Sequence, residues 1–216
     1  SIINLGVCLN EAAMRPHLAH IRVCLADHAA CSRRARACMA AAAALAKDNA
    51  AALQSAVDGK RLTRITHALI QSVLSQAGET SAVPSVRPIL TDAVTPKGEL
   101  CLIGEHAQPR VFRLLAHWGM DLTPVLREIS RAARTAGYDV EEHLCPTVPG
   151  RLLHLTIPAL GTLITSGDAL PSEQTFDFSS CIPQGALLRH ECALEQGRAG
   201  IRLHLHRAVA ALAQAK

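Results

Sequence analysis

Apolar residues recur at helical spacing in the first part of the chain. Leu18, Ile21 and Leu25 follow Pro16 at intervals of three or four, and Asn10 is a suitable cap for a helix that begins before them. The same spacing continues at Cys38, Met39, Ala42 and Leu45. The pattern predicts that residues 1–47 are mostly helix.

Two acidic residues mark helix boundaries further along. Asp48 predicts the cap of a further short helix, and the pair Asp58-Gly59 predicts a break after it. The next helix is predicted from a buried stripe made of Leu62, Ile65, Leu69 and Val73. The segment GETSAVPSVRP at 78–88 has no apolar period and is rich in Gly, Ser and Pro, so we predict a connector there.

Beyond the connector the apolar pattern changes to short runs that are typical of β-strands. Strands are predicted at ELCLI (99–103), VFRLLAHW (111–118), YDVEEHL (138–144) and LGTLIT (160–165). An amphipathic helix from Thr123 to about Ala136 follows the second strand, and Gly137 is a natural stop for it. PGRLLHLTIP at 149–158 indicates a short helical turn and the entry into the last strand. Strands that alternate with helices predict a parallel sheet with crossover helices.

The change of pattern predicts the domain organisation. We expect a helical segment at 1–82, an α/β core at 83–175 and a C-terminal helical segment at 176–216. The last segment carries Ile201, Leu205, Ala208 and Leu212 at helical spacing. INLGVCL at 3–9 matches FDFSSCI at 176–182 in pattern, and each precedes an Ala-rich helix, which suggests an internal repeat.

Composition limits the class of protein. A chain of 216 residues with 49% hydrophobic content can bury an ordinary core. Because no apolar run approaches the roughly 20 residues that cross a bilayer, we expect no membrane association and a cytoplasmic location. The 8 cysteines are scattered, and we expect reduced thiols rather than disulfides.

The charge pattern does not favour nucleic-acid binding. The formal net charge is only +4, and aromatic residues are 2% of the chain, so few rings are present to stack on bases. The densest basic cluster, Arg33-Arg34-Ala35-Arg36, is interpreted as a solvated helix face.

The turn between the strand at 111–118 and the next helix stands where a P-loop protein holds phosphate. A working loop, GxxxxGK(S/T), supplies backbone N–H groups, a lysine and a hydroxyl for magnesium. With Thr123 at the hydroxyl position, the eight residues 116–123 read AHWGMDLT. Both motif glycines and the lysine are missing from this frame.

Two side chains in the turn oppose phosphate binding. Asp121 stands where a small uncharged residue would approach the phosphates, and two like charges about 4 Å apart repel by roughly 4 kcal/mol at an effective dielectric near 20. Leu122 cannot replace the lysine charge, and all four lysines of the chain lie elsewhere in the sequence. The helix N-terminus at Thr123 and Pro124 is expected to leave a weak anion site.

Several stretches resemble a family of bacterial tandem P-loop ATP-binding proteins that are described as ATPases or nucleotide kinases. The resemblance is carried by DAVTPKGEL (92–100), RAARTAGYDVEEHLCP (131–146), LHLTIPALGTLITSGD (153–168) and FDFSSC (from 176). It implies a P-loop NTPase-like parallel sheet with flanking helices, in which this chain carries the second unit and its first 76 residues form the helical tail of the first. ATP and Mg²⁺ are the cofactors that it implies. Gly119 and Thr123 are the candidate nucleotide-binding residues, although Thr123 alone matches a nucleotide-binding position of the family.

Three other groupings of reactive side chains have simpler interpretations. One helix face carries His17, His20, Cys24, His28 and Cys31, a set that suits zinc but that a single helix cannot easily wrap around an ion. His143 and Cys145 are two apart on a strand, which permits a nucleophile pair without a recognisable third group. His204 and His206 are expected on the surface. We therefore assign no catalytic residue and no metal ligand from the sequence.

The function expected from these observations is that of a P-loop NTPase-like protein with a degenerate nucleotide site and a structural or regulatory role. One alternative is a weak ATP-binding ATPase or nucleotide kinase that uses basic residues such as Arg110, Arg113 or Arg127. The other is a helical protein-interaction module, with a second copy or another protein as partner. Whether the chain is an enzyme stays open at this point.

Overall fold

Five α-helices are present in the part of the chain that the structure describes. The computed structural model describes residues 10–76, 78, 83–106, 108–167 and 170–215. Its helices are α1 (Glu11–Met14), α2 (Leu18–Gln54), α3 (Gly59–Val73), α4 (Thr123–Thr135) and α5 (Gln184–Gln214). Within these ranges no helix is long and apolar enough to cross a membrane.

Of the two predicted caps, Asn10 is confirmed and Asp48 is not, while Asp58, predicted as a break, caps the start of α3. The side chain of Asn10 accepts the N–H of Ala13 at 3.1 Å, and that of Asp58 accepts the N–H of Arg61 at 3.1 Å, so both satisfy groups that a helix start leaves free. The predicted break at Asp48 is wrong, because α2 continues through it to Gln54. The Ala-rich sequence on both sides of Asp48 keeps a strong helix preference that one acidic residue does not overcome.

The sheet has six strands and mixed direction. The strands are β1 (Val86–Ile89), β4 (Arg110–Leu115), β5 (Val140–Leu144), β6 (Leu152–Ile157), β7 (Thr162–Thr165) and β8 (Gln174–Asp177). They lie in the order β1-β5-β6-β7-β4-β8, and β2 (Asp92–Thr95) and β3 (Gly98–Cys101) form a separate antiparallel hairpin. Strand β4 is parallel to both of its neighbours, whereas β6 is antiparallel to both of its own.

Two predictions about the sheet are wrong. The segment 149–158, predicted as a helical turn, contains β6, so the sheet is mixed rather than wholly parallel. The predicted connector at 78–88 ends inside β1, which pairs with β5 at the edge of the sheet. An edge strand tolerates Pro88, because its missing N–H leaves no interior hydrogen bond unmade.

One face of the sheet carries the main hydrophobic core. Phe112 and Leu114 of β4 lie there with Leu155 and Ile164, and α3 and α4 cover them with residues such as Leu69, Leu126 and Ile129. All of these side chains are buried. Burying each one contributes about 1.5–3 kcal/mol, which makes this layer the main source of fold stability.

The opposite face of the same strands is partly polar. Strand alternation turns His154 and Thr156 away from Leu155, and the paired residues Thr165 and His143 lie on the same side. The β2–β3 hairpin lies over this face, where Asp92 comes close to His154. The hairpin therefore closes a polar layer inside the molecule.

Helices α2 and α5 form an antiparallel pair that covers the hairpin and the central turn. Ala35 packs against Ala208 near one end, and Asn49 lies against Gly197 nearer the other. A Cβ atom on Gly197 would lie 2.4 Å from the amide of Asn49, so only glycine allows the two helices this close. Helix α5 also contacts β2 and β3.

Candidate functional site

The turn at residues 116–123, which was compared with a phosphate loop, lies at the carboxyl end of β4. Strand β4 ends at Leu115 and α4 begins at Thr123, as predicted. Because β4 is parallel to β7 and β8, their carboxyl ends share this edge of the sheet. Ligands of open α/β sheets bind at that edge, so it is the first place to look for a site.

Asp121 satisfies the start of α4 from within the chain. Its Oδ1 accepts the backbone N–H of Thr123 at 2.9 Å and the Thr123 hydroxyl at 2.6 Å. The hydroxyl oxygen of Thr123 in turn accepts the backbone N–H of Leu152 at 3.0 Å. Pro124 follows and has no N–H to offer. The Asp121 carboxylate therefore engages the Thr123 N–H, which belongs to the predicted weak anion site.

Arg151 balances the charge of Asp121. The Nε atom of Arg151 lies 3.7 Å from Oδ1 of Asp121, and its Nη2 donates to the carbonyl of Met120 at 3.1 Å. The Asp121 carboxylate and the Arg151 guanidinium therefore each bind a backbone group of the turn and lie close to one another.

Gly119, the other candidate nucleotide-binding residue, faces the helical pair. Its φ of +91° is one that residues with a side chain rarely adopt. A Cβ placed on it would lie 3.4 Å from both Leu53 and Leu194, and 3.6 Å from Asn49. Gly119 therefore allows the turn to pack closely on α2 and α5.

A basic depression lies beside the start of α4. It has a volume of about 460 Å³ and is lined in part by Lys47, Arg127 and Arg151, with Asp121 among them. Lys47 lies far from the turn in sequence and reaches it because α2 packs over this edge. The Arg127 side chain donates to the carbonyl of Gly150 at 3.0 Å.

The other two arginines considered for phosphate binding have structural partners. Arg110 donates to the carbonyls of Ser72 and Val73, pairs with Glu173 and lies over the ring of Phe112. Arg113 donates to the carbonyl of Leu170. Of the three arginines proposed, Arg127 alone lines the depression at the start of α4.

The groupings of histidine and cysteine that the sequence suggested are dispersed. On α2, His20 lies 3.6 Å from Cys24, whereas His28 is bonded to the carbonyl of Ala215 at 2.9 Å, and all three are exposed. All of the cysteines that the structure describes are free thiols. His204 is partly buried rather than on the surface, while His206 is exposed as expected.

His143 and Cys145 form hydrogen bonds with different partners. His143 is fully buried between the hydroxyls of Thr91 at 3.3 Å and Thr156 at 2.9 Å. Cys145 accepts the N–H of Val148 instead, beyond an irregularity of the strand between residues 143 and 144. The spacing of two residues along a regular strand does not apply there.

The polar layer under the hairpin is the feature that sequence reasoning missed. His143 and His154 are both buried, with ring centroids 6.1 Å apart, beside the buried Thr91, Thr156 and Thr165. His154 is bonded to Thr165 at 2.7 Å. Alternation along LLHLTI at 152–157 could have indicated it, because histidine and threonine occupy every second position.

Asp92 brings a carboxylate to this layer from the hairpin. Its Oδ2 lies 3.9 Å from Nε2 of His154, and this neighbour holds the pKa of Asp92 below its ordinary value. Cys101 lies opposite Asp92 in the hairpin, and burial raises the pKa of its thiol. Three residues from separate strands therefore meet at one place.

Comparison with known proteins identifies no relative of this chain. No protein-family model matches the chain, and no curated protein and no solved structure matches it.

Proposed function

We propose that this chain is a P-loop NTPase-like protein whose nucleotide site is degenerate, and that its role is structural or regulatory. The observation that carries the proposal is the Asp121 carboxylate at the start of α4. It stands where a bound phosphate would accept the same N–H and hydroxyl groups. The order of strand, turn and helix is that of a P-loop unit. The Thr123 N–H and hydroxyl, which would bind a phosphate, are bonded to Asp121 instead.

The surroundings of the turn support the same proposal. The Thr123 hydroxyl, the one that would hold magnesium, is engaged by Asp121 and by the Leu152 N–H. Gly119 packs against Leu53 and Leu194. A nucleotide would have to break these contacts and also face the negative charge of Asp121.

Titration calorimetry with Mg·ATP tests the proposal directly. The wild-type chain is expected to give no saturable heat of binding, whereas submillimolar affinity would contradict the proposal. Asp121→Asn removes the repulsive charge and is expected to increase any phosphate binding. Asp27→Asn, the same charge change on an exposed part of α2, is the control and is expected to have no effect.

A weak ATP-binding enzyme is the second candidate, and the basic depression favours it. Lys47, Arg127 and Arg151 could meet a phosphate chain there if Asp121 turned away. Under this candidate, Arg127→Gln abolishes a measurable ATP hydrolysis that Arg131→Gln, one turn further along α4, retains. Absence of turnover in the wild type excludes it.

A helical interaction module is the third candidate, and the exposed start of α2 favours it. Leu18, Val23 and Leu25 are 41%, 58% and 62% exposed. They precede His28, which meets the C-terminal end of α5 through the carbonyl of Ala215. A partner that packs on this segment would bury them.

A further inference from the structure

The strongest unexplained feature lies on the polar face of the sheet, away from the degenerate turn. Asp92 of β2, Cys101 of β3 and His154 of β6 each offer one ligand atom, and these atoms lie within 4.8 Å of one another. We call these three residues the Asp–Cys–His cluster. Asp92 and Cys101 are paired within the hairpin, and His154, which is distant in sequence, joins them because the hairpin lies over β6.

Two polar atoms in the cluster are left without a bond. Within the described part of the chain, Nε2 of His154 and Oδ1 of Asp92 are buried and have no hydrogen-bond partner. His154 is only 4% exposed, so water cannot readily satisfy its Nε2. A buried polar atom without a partner destabilises the fold, which makes two such atoms at one place a sign of a missing ligand.

The opposite side of the His154 ring is already fixed. Nδ1 is bonded to Oγ1 of Thr165 at 2.7 Å, and the same oxygen accepts the N–H of Gly167 at 2.9 Å. If Nδ1–H donates to Thr165, the lone pair of Nε2 points into the cluster. Metal-bound histidines are commonly oriented by such a bond on the second nitrogen.

We propose that the Asp–Cys–His cluster binds one zinc ion. A sulfur, an imidazole nitrogen and a carboxylate oxygen form a donor set that suits zinc, whereas magnesium and calcium prefer oxygen alone. Bond lengths of about 2.0–2.3 Å place the ligand atoms of a tetrahedral zinc about 3.3–3.8 Å apart. From the present limit of 4.8 Å, the ligand atoms need to approach one another by about 1.0–1.5 Å.

Two of the three residues, Asp92 and Cys101, also line a small depression. This depression has a volume of about 190 Å³ and is lined by residues that include Asp92, Cys101 and Cys145. A water molecule can reach the ion from there and complete a tetrahedral shell. The bound zinc ties the β2–β3 hairpin to the six-stranded sheet.

Zinc titration of the chelator-treated, dialysed chain tests the proposal. In competition with a chromogenic chelator, the wild type is expected to bind one zinc per chain, and Cys101→Ser is expected to lower the affinity at least about tenfold. Cobalt in place of zinc is expected to give a thiolate-to-metal absorption band that Cys101→Ser loses. Because Cys101 is exposed, this variant is expected to fold, which circular dichroism checks.

A control addresses the other histidine and cysteine residues. The double variant His20→Ala/Cys24→Ser removes the adjacent pair on α2 and is expected to leave zinc affinity unchanged. Loss of zinc binding in this variant would show that the zinc site lies on α2 and would overturn the proposal. Absence of stoichiometric zinc from the wild type, or full affinity in Cys101→Ser, would overturn it equally.

A positioning residue gives a second, independent readout. Thr165→Val removes the partner of His154 Nδ1 and is expected to weaken zinc binding by about 10–100-fold, as loss of an outer-shell partner does. Thr162→Val makes the same change on the same strand, where the hydroxyl donates to the carbonyl of Leu160, and is expected to leave affinity unchanged. Equal zinc affinity in the two variants would contradict the assignment of His154 Nε2 as a ligand.

Discussion

At the scale of single residues, Thr123 links the start of α4 to β6. Its hydroxyl donates to Asp121 and accepts the N–H of Leu152, in a buried setting. These two bonds give the Thr123 hydroxyl a structural role, and its contribution to stability can be measured.

Replacing Thr123 with valine is expected to destabilise the fold. The change leaves the buried N–H of Leu152 without an acceptor, and the free energy of unfolding should fall by about 1–3 kcal/mol. Urea unfolding followed by circular dichroism measures it. Thr123→Ser keeps the hydroxyl and is expected to cost less than about 1 kcal/mol. Equal losses in the two variants would mean that shape, not the hydrogen bond, matters at this position.

Asp177 is expected to contribute to acid sensitivity. The hydroxyl and N–H of Ser179 both donate to its carboxylate, and they hold its pKa below the ordinary value. A carboxyl with a lowered pKa in the folded state stabilises the fold above its unfolded pKa of about 3.9, and this contribution is lost as pH falls further.

The test compares stability across pH in Asp177→Asn and the wild type. The variant is expected to be less stable at pH 7 and to show a shallower decline below about pH 4, measured as midpoints of urea unfolding. Asp27→Asn, at an exposed position of α2, should keep the wild-type slope. If stability declined with falling pH as steeply in Asp177→Asn as in the wild type, the hydrogen bonds from Ser179 would not be stabilising the charged carboxylate of Asp177.

At the scale of elements, the α2–α5 pair depends on small residues. A Cβ on Gly197 would lie 2.4 Å from the Asn49 amide. A Cβ on Gly185, near the start of α5, would instead lie 4.0 Å from the Arg189 side chain. An alanine side chain would therefore be crowded at position 197 and uncrowded at position 185 of the same helix.

Gly197→Ala is expected to destabilise the chain by about 1–3 kcal/mol through overpacking, despite the better helix preference of alanine. Gly185→Ala is expected to raise stability by a few tenths to about 1 kcal/mol. Thermal unfolding by circular dichroism compares the two with the wild type. A stabilised Gly197→Ala would mean that Asn49 moves aside easily and that the helices are not closely locked there.

Local signals predicted most elements but not the arrangement of the strands. Asn10, Asp58 and Gly137 end or start helices through their own chemistry, so the sequence identifies them. Strand β6 was hidden because Pro149-Gly150 and Pro158 frame it like a turn. Its antiparallel place in the sheet depends on pairing with β5 and β7, which no local pattern records.

At the scale of the whole molecule, the candidate sites differ in how far the sequence could predict them. The altered turn at 116–123 is contiguous, so its missing lysine and its acidic residue are visible in sequence. The Asp–Cys–His cluster combines β2, β3 and β6, and its members have no characteristic spacing. Only the position of the hairpin over the sheet brings these ligand atoms together.

The start of α2 is an exposed segment on which association between copies of the chain can be tested. From Leu18 to His28 every residue except Ile21 is exposed, and the first buried residue of this helix is Ala35. Leu18 and Leu25, seven positions apart, share one helix face. Solvent-facing leucines at this spacing are typical of a helix that packs against another helix.

The double variant Leu18→Gln/Leu25→Gln is expected to abolish self-association if α2 is the contact. Size-exclusion chromatography with light scattering should show a concentration-dependent dimer for the wild type and a monomer for the variant. Leu188→Gln, at a 62% exposed leucine near the start of α5, matches the change in exposed apolar surface and should leave the dimer intact. A wild type that stays monomeric at high concentration excludes association between copies through α2. Loss of the dimer in Leu188→Gln would instead indicate that the contact between copies lies on α5.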